Sequence, residues 1–160
     1  MPSTPFNAHK ERLLALLREH SFEKKPVVLS SGKKSDFYVD CRKTALSAEG
    51  HFLIGWLLND FLRREHPEIH AVGGMTMGAD PLVSATATMS FLAGRRLEAF
   101  YVRKVAKKHG AAQWVERSAH LPEKGAKAVI LEDVVTTGAS TLRALERAET
   151  FADHGALDGY

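Results

Sequence analysis

The segment Val129-Ile-Leu-Glu-Asp-Val-Val-Thr-Thr-Gly-Ala-Ser-Thr141 constrains this chain more than any other. Its apolar start, Ala128 to Leu131, is short, β-branched and uncharged, which reads as a buried strand. Glu132 and Asp133 follow directly, and Thr136-Thr-Gly-Ala-Ser140 then turns the chain into a helix rich in Leu, Ala, Arg and Glu. A small hydroxyl-bearing turn at a helix start aims backbone N–H groups and hydroxyls at one point, where the helix dipole adds partial positive charge. A phosphate fits that cradle. Carboxylates beside it would repel a bare phosphate, so the guest must also bring sugar hydroxyls and a centre that becomes cationic. A phosphorylated ribose has these features. The alternative is an ordinary strand–loop–helix corner with solvated acids and capping hydroxyls.

A second segment, Tyr101-Val-Arg-Lys-Val-Ala-Lys-Lys-His-Gly110, puts Arg103, Lys104, Lys107, Lys108 and His109 within seven residues and offers no acid to offset them. Leu97 to Val102 before it reads as a strand, and a cationic loop at a strand end suits a ligand with several negative charges, such as a pyrophosphate. A solvated basic patch or a nucleic-acid contact is the competing reading. Only Tyr101 and Trp114 flank the loop as aromatics, which is thin for a single-stranded nucleic-acid platform.

Along the chain, residues 8–20 are predicted as a helix with Leu13, Leu14, Leu16 and Leu17 forming one stripe. Pro26 to Leu29 and Asp36 to Asp40 are predicted as paired strands around a Ser-Gly-Lys-Lys turn. Ser47 to Arg64 is predicted as a helix capped by Ser47, with Phe52, Trp56, Leu57 and Phe61 as its core stripe. There follow a strand at His70 to Gly73, a helix at Asp80 to Leu92, strands at Glu98 to Val102 and Ala128 to Leu131, and a helix from about Ser140 to Ala152. Strands alternating with helices predict an α/β fold with a mostly parallel central sheet flanked by helices and joined by right-handed crossovers. Ligands of such sheets bind beyond the carboxyl ends of the strands, where three motif segments would lie.

The combination Arg103-Lys-x-x-Lys-x-His-Gly110 and Glu132-Asp-x-x-Thr-Thr-Gly-x-Ser140 resembles the orotate phosphoribosyltransferases, within the type I phosphoribosyltransferases. Leu29-Ser-Ser-Gly-Lys-Lys-Ser-Asp-Phe-Tyr-Val-Asp-Cys-Arg42 resembles that family's N-terminal hairpin hood, and Gly73-Gly-Met-Thr-Met-Gly-Ala-Asp-Pro81 its pyrophosphate-facing loop. The resemblance implies one domain over residues 1–160, with 1–45 forming the hood. It implies transfer of phosphoribose from phosphoribosyl pyrophosphate (PRPP) to orotate, with Mg²⁺ as cofactor and a homodimer in which part of the cationic loop reaches the neighbouring subunit's site. On that basis Lys104→Ala and Asp133→Asn chains are expected to complement one another.

By the same resemblance, Glu132 and Asp133 hold the ribose hydroxyls, Thr136, Thr137, Gly138, Ala139 and Ser140 cradle the 5′-phosphate, and Val134 and Val135 between them belong to the PRPP-binding stretch. Arg103, Lys104, Lys107 and His109 face pyrophosphate, and Phe37, Tyr38 and Thr136 lie at the orotate. Lys104 and Asp133 carry the catalytic roles. Mg²⁺ keeps several waters and binds substrate phosphates, so no metal cage built by protein alone is expected. Some relatives carry a lysine near the position of Gly78, where this chain offers backbone amides instead. A full-length member continues with a further strand and an arginine for the orotate carboxylate, neither of which appears in His154-Gly-Ala-Leu-Asp-Gly-Tyr160. Ordinary PRPP affinity with weak orotate binding is therefore expected. The competing functional readings are a type I transferase for another base and a truncated, non-catalytic PRPP-binding protein.

Composition agrees with a folded domain: 160 residues, 44% hydrophobic, 26% charged, with a mild net charge of +3. The single cysteine, Cys41, permits no internal disulfide, and it is expected to be a structural thiol rather than a nucleophile. No stretch approaches a membrane span and the N-terminus lacks the apolar core of a signal peptide, so a cytoplasmic protein is expected.

Overall fold

The computed structural model describes residues 5–28, 32, 34–106, 114–121 and 125–153, with backbone alone for 150–153. Helix α1 (Pro5–Leu16) runs into a π-helical turn at Leu17–Ser21, so the predicted single helix over 8–20 is two pieces. Only Leu16 of its leucine stripe is buried. The turn is tied down where the Ser21 and Thr44 hydroxyls, both fully buried, hydrogen-bond at 2.7 Å.

The N-terminal arms differ from the predicted hairpin. Strand β1 (Phe22–Glu23) pairs antiparallel with β4 (Tyr38–Val39), while β2 (Val27–Val28) pairs with β3 (Lys34–Ser35). Glu23 to Val27 spans four steps and Ser35 to Tyr38 only three, so the first arm carries an extra residue beside Pro26. Proline has no N–H to give a ladder, and it splits one expected pairing into two short ones. The turn residues 29–31 and 33 lie outside the described residues.

Asp40 then caps α2 (Cys41–Ala45), accepting from the Arg42 N–H, and Ser47 caps α3 (Ala48–Glu65), accepting from the Gly50 N–H at 3.1 Å. The predicted cap holds, but the aromatic stripe is not the core. Phe52 and Phe61 are 45% and 44% exposed, whereas Leu53, Asn59 and Leu62 are buried. The cause is how closely α3 approaches α4 (Asp80–Leu92): a Cβ on Gly55 would lie 2.5 Å from the Ala85 carbonyl oxygen, so small residues take the inner face. The aromatics turn toward α1, where His9 stacks on Trp56 at 4.5 Å between centroids.

The central sheet has the order β7-β6-β5-β8. Strand β5 (Ala71–Met75) pairs parallel with β6 (Glu98–Val102) and with β8 (Ala128–Ile130), as expected. An edge strand missed in the sequence, β7 (Val115–Arg117), pairs antiparallel with β6. All of β5 is buried because both sheet faces are covered. Val72 packs with Leu62, Ala79, Val83, Leu97 and Leu131 toward α3 and α4. Ala71, Met75, Phe100, Val102 and Val115 pack with Ala144 of α5 (Ala139–Asp153) on the other face. The segments after β5, β6 and β8 consequently emerge at the same end of the parallel strands.

Candidate active site

At that end the acidic pair forms a strained electrostatic unit. The Glu132 carboxyl is pushed above the usual range, first by burial, then by a hydrogen bond with Asp133 and by the Asp133 charge. The Thr141 hydroxyl, donating to Glu132 Oε2 at 3.4 Å, and the charge of Lys104 oppose the rise. Asp133 lies against Gly78 in the loop after β5: a Cβ there would come within 2.5 Å of Asp133 Oδ1. The absence of a side chain at 78 lets this carboxylate approach the loop. From the hood side, Asp133 also bears on Cys41, whose half-buried thiol is pushed up by burial first, then by Asp133 and Asp40. Cys41 is thus a neutral thiol beside the acid, in keeping with the structural role expected for it.

Stability should pay tribute to this crowding of acids. A carboxyl whose folded-state pKa is raised binds more protons folded than unfolded, so its contribution falls as pH rises from the ordinary carboxyl range through the folded value. Glu132→Gln should therefore melt at higher temperature than the wild type at neutral pH, with the gain shrinking toward pH ~4. Thermal melts at both pH values check this, and an equal or lower melting temperature at neutral pH would contradict it.

Past the acids, Val134 and Val135 are open to solvent at 48% and 65% exposure, so this stretch is held by its ends rather than by packing. Thr136, Thr137, Ala139 and Ser140 are exposed as well. Gly138 adopts φ +76°, and a Cβ there would meet nothing within 4 Å. The glycine is needed for backbone conformation, and the space above it is open. The Thr137 hydroxyl accepts from the Ala139 N–H at 3.4 Å, and Leu142 N–H closes the first helical turn on the Gly138 carbonyl at 2.9 Å. The first amides of α5 and the turn hydroxyls thus border open space, as an anion cradle requires.

The loop after β5 contains a cis Thr76–Met77 peptide. Thr76 N–H donates to the Val102 carbonyl at 2.9 Å and Ala79 N–H to Met75 at 3.2 Å, while the Met77 and Gly78 amides have no partner among the described residues. Just beyond, burial raises the Asp80 carboxyl, and its Oδ1 has no partner among the described residues. Burial, then the Asp80 charge, raises Tyr101 on the neighbouring strand.

The cationic loop leaves the β6–β7 ladder at Arg103, whose N–H donates to the Trp114 carbonyl at 2.8 Å. Lys104 is exposed, and its charge bears on Glu132 of the same chain. The expectation that no acid offsets the loop needs correction: Arg103 Nε donates to Glu116 Oε1 at 2.8 Å. That acid sits across the ladder, thirteen residues away, so no local window contains it. Lys107 and His109 lie outside the described residues. On the N-terminal arms, exposed Phe37 stacks on Phe22 at 5.8 Å, and Lys25 Nζ lies 5.4 Å from the Tyr38 ring centroid.

Among the described residues no group of three or more His, Cys, Asp or Glu could hold a metal ion. Two adjacent hard carboxylates remain, a donor set compatible with Mg²⁺ shared with substrate oxygens. No helix among the described residues is long and apolar enough to cross a membrane.

A mostly parallel sheet flanked by helices, with an acidic pair and a helix-starting turn at its carboxyl end and small hairpins before it, is the fold of the type I phosphoribosyltransferases. Adenine phosphoribosyltransferase from Leishmania donovani shares that fold, with a TM-score of 0.55 at 16% identity, covering 88% of this chain and 62% of that one. Nearer relatives narrow the class. The chain is 50% identical over 143 residues to orotate phosphoribosyltransferase from Sorangium cellulosum, covering 89% of this chain and 73% of the relative. It is 45% identical to the Thermosynechococcus vestitus protein of that name, covering 88% and 71%. The Mycobacterium tuberculosis orotate phosphoribosyltransferase solved with PRPP superposes with a TM-score of 0.67 at 31% identity, covering 89% of this chain and 75% of that one. No family model matches the chain. The chain belongs to the orotate phosphoribosyltransferase family.

Proposed function

We propose that this chain transfers phosphoribose from PRPP to orotate, giving orotidine 5′-monophosphate and pyrophosphate in pyrimidine biosynthesis, with the site built from the three loops at the carboxyl end of the sheet. The observation that carries the reading is Glu132 and Asp133, one turn before an open helix N-terminus and opposite Lys104. The C1–O bond breaks first, its electron pair leaving with pyrophosphate, and orotate N1 then bonds to ribose C1 and gives up its proton to pyrophosphate or solvent. Between these events the ring is positive and the departing group gains negative charge, so fixed charges of both signs are the main catalytic resource.

Glu132 and Asp133 accept from the ribose hydroxyls and sit near the developing ring charge. Thr136, Thr137, Gly138, Ala139 and Ser140 receive the 5′-phosphate, with Val134 and Val135 joining the two groups. Lys104 faces the pyrophosphate. Arg103, Lys107 and His109 add further positive charge, Arg103 by exchanging Glu116 for the ligand. The Met77 and Gly78 amides contribute donors where a side-chain cation is lacking. Residues 1–45 form the hood of a single domain, with Phe37, Tyr38 and Thr136 at the pyrimidine. Glu132 and Asp133, together with substrate oxygens, would hold Mg²⁺, which would supply charge neutralisation when bound. A cytoplasmic homodimer sharing its cationic loops completes the reading.

Initial rates with PRPP and Mg²⁺ test the choice of base. Orotate should be consumed with pyrophosphate released one for one, and adenine should not be consumed. Turnover of adenine in place of orotate would favour a transferase for another base, and binding of PRPP without turnover of either would favour a non-catalytic PRPP-binding protein.

A further inference from the structure

We propose that Arg147, on the second turn of α5 past the phosphate cradle, is a positioning residue that sets the stem of the cationic loop and thereby the place of Lys104. Its guanidinium lies 3.8 Å from the Trp114 ring centroid, and its Nη1 donates to the Arg103 carbonyl at 2.5 Å and approaches the Lys104 carbonyl at 3.5 Å. These are the first carbonyls after the chain leaves the β6–β7 ladder, and Trp114 is where it returns. One side chain therefore grips both ends of the stem. Ala144 and Ala148, on the same helix face, pack into the core beside Trp114, so the helix carrying the grip is itself fixed against the sheet.

The consequence is geometric. The helix whose first residues border the phosphate cradle also determines where the cationic loop departs. A planar guanidinium can stack on the indole while its N–H groups point in-plane at carbonyl oxygens, which a lysine ammonium cannot reproduce. Arg147 Nη1 is directed at backbone carbonyls of the stem, so its effect on pyrophosphate passes through Lys104. The inference rests on the reading of Lys104 given under the proposed function.

The test uses Arg147→Met and Arg147→Lys in the full chain, each also made with Trp56→Phe so that Trp114, the other of the two tryptophans, is the sole indole emitter. Methionine keeps apolar bulk against the indole and removes every donor. Expected for Arg147→Met is a fall in kcat per folded chain of about tenfold to 100-fold, the scale of a displaced catalytic group, with the KM for orotate nearly unchanged. Trp114 emission should shift and become more accessible to acrylamide, and Arg147→Lys should fall between the two. Wild-type kcat in the methionine variant would overturn the proposal, as would a loss fully explained by a smaller folded fraction with Trp114 emission unchanged. If the methionine variant does not fold, the lysine variant decides: a kcat below wild type supports the proposal, and wild-type kcat overturns it. Failure of the wild type to consume orotate would instead count against the functional reading, and Trp114 emission would still test the grip.

Discussion

Lys104→Ala is expected to lower kcat by about 10²–10³-fold, the usual loss when one preorganised stabiliser of transition-state charge is removed. The effect should fall on turnover rather than on orotate binding, because pyrophosphate gains charge only as the C1–O bond breaks. A raised KM with unchanged kcat would mean that Lys104 contributes ground-state binding alone. The same residue constrains how subunits cooperate. Its charge bears on Glu132 within one chain. If the loop also reaches the neighbouring subunit's site, as the resemblance implies, mixing Lys104→Ala with Asp133→Asn chains should restore part of the activity. No recovery of activity in the mixture would remove the shared-site reading.

Gly78→Ala should produce an effect of similar size by a different route. The added methyl would enter the space held by the Asp133 carboxylate, within 2.5 Å of Oδ1. The obstructing atom belongs to a side chain, so the fold can yield: overpacking costs about 1–3 kcal/mol, and the lower end applies when a short side chain rotates away. Catalysis cannot yield as easily. A catalytic group moved by about 1 Å can cost on the order of 100-fold in rate. The expected result is a folded variant with a small loss in melting temperature and a kcat roughly 100-fold lower. Wild-type kcat would show that Asp133 reaches its working position without touching this loop.

Much of this could be read from the sequence because it depends on local order. The β8 strand, the acidic pair and the helix start lie within one continuous segment, and the parallel sheet follows from the alternation of elements. What escaped the sequence depends on distance in space. Glu116 reaches Arg103 across an antiparallel edge strand only three residues long, too short to leave an alternating pattern. The Gly78–Asp133 contact joins loops after two neighbouring strands, and Arg147 joins a helix to a loop 44 residues earlier. Cys41 was read as structural, and nothing in its surroundings along the chain suggested that it borders Asp133. The aromatic stripe of α3 was misread for a related reason. Periodicity identifies an apolar face, but the tight approach of α4 gave the innermost position to small residues.

The assignment of the site is tested most directly by amide chemical shifts of the wild-type chain titrated with PRPP and Mg²⁺. Shifts should concentrate at Glu132, Asp133, Thr136 to Thr141, the Met77 and Gly78 amides, and Arg103 with Lys104, all saturating at one PRPP concentration. Saturable shifts confined to the hood or the α1–α3 face, with the α5 N-terminus unmoved, would contradict the site.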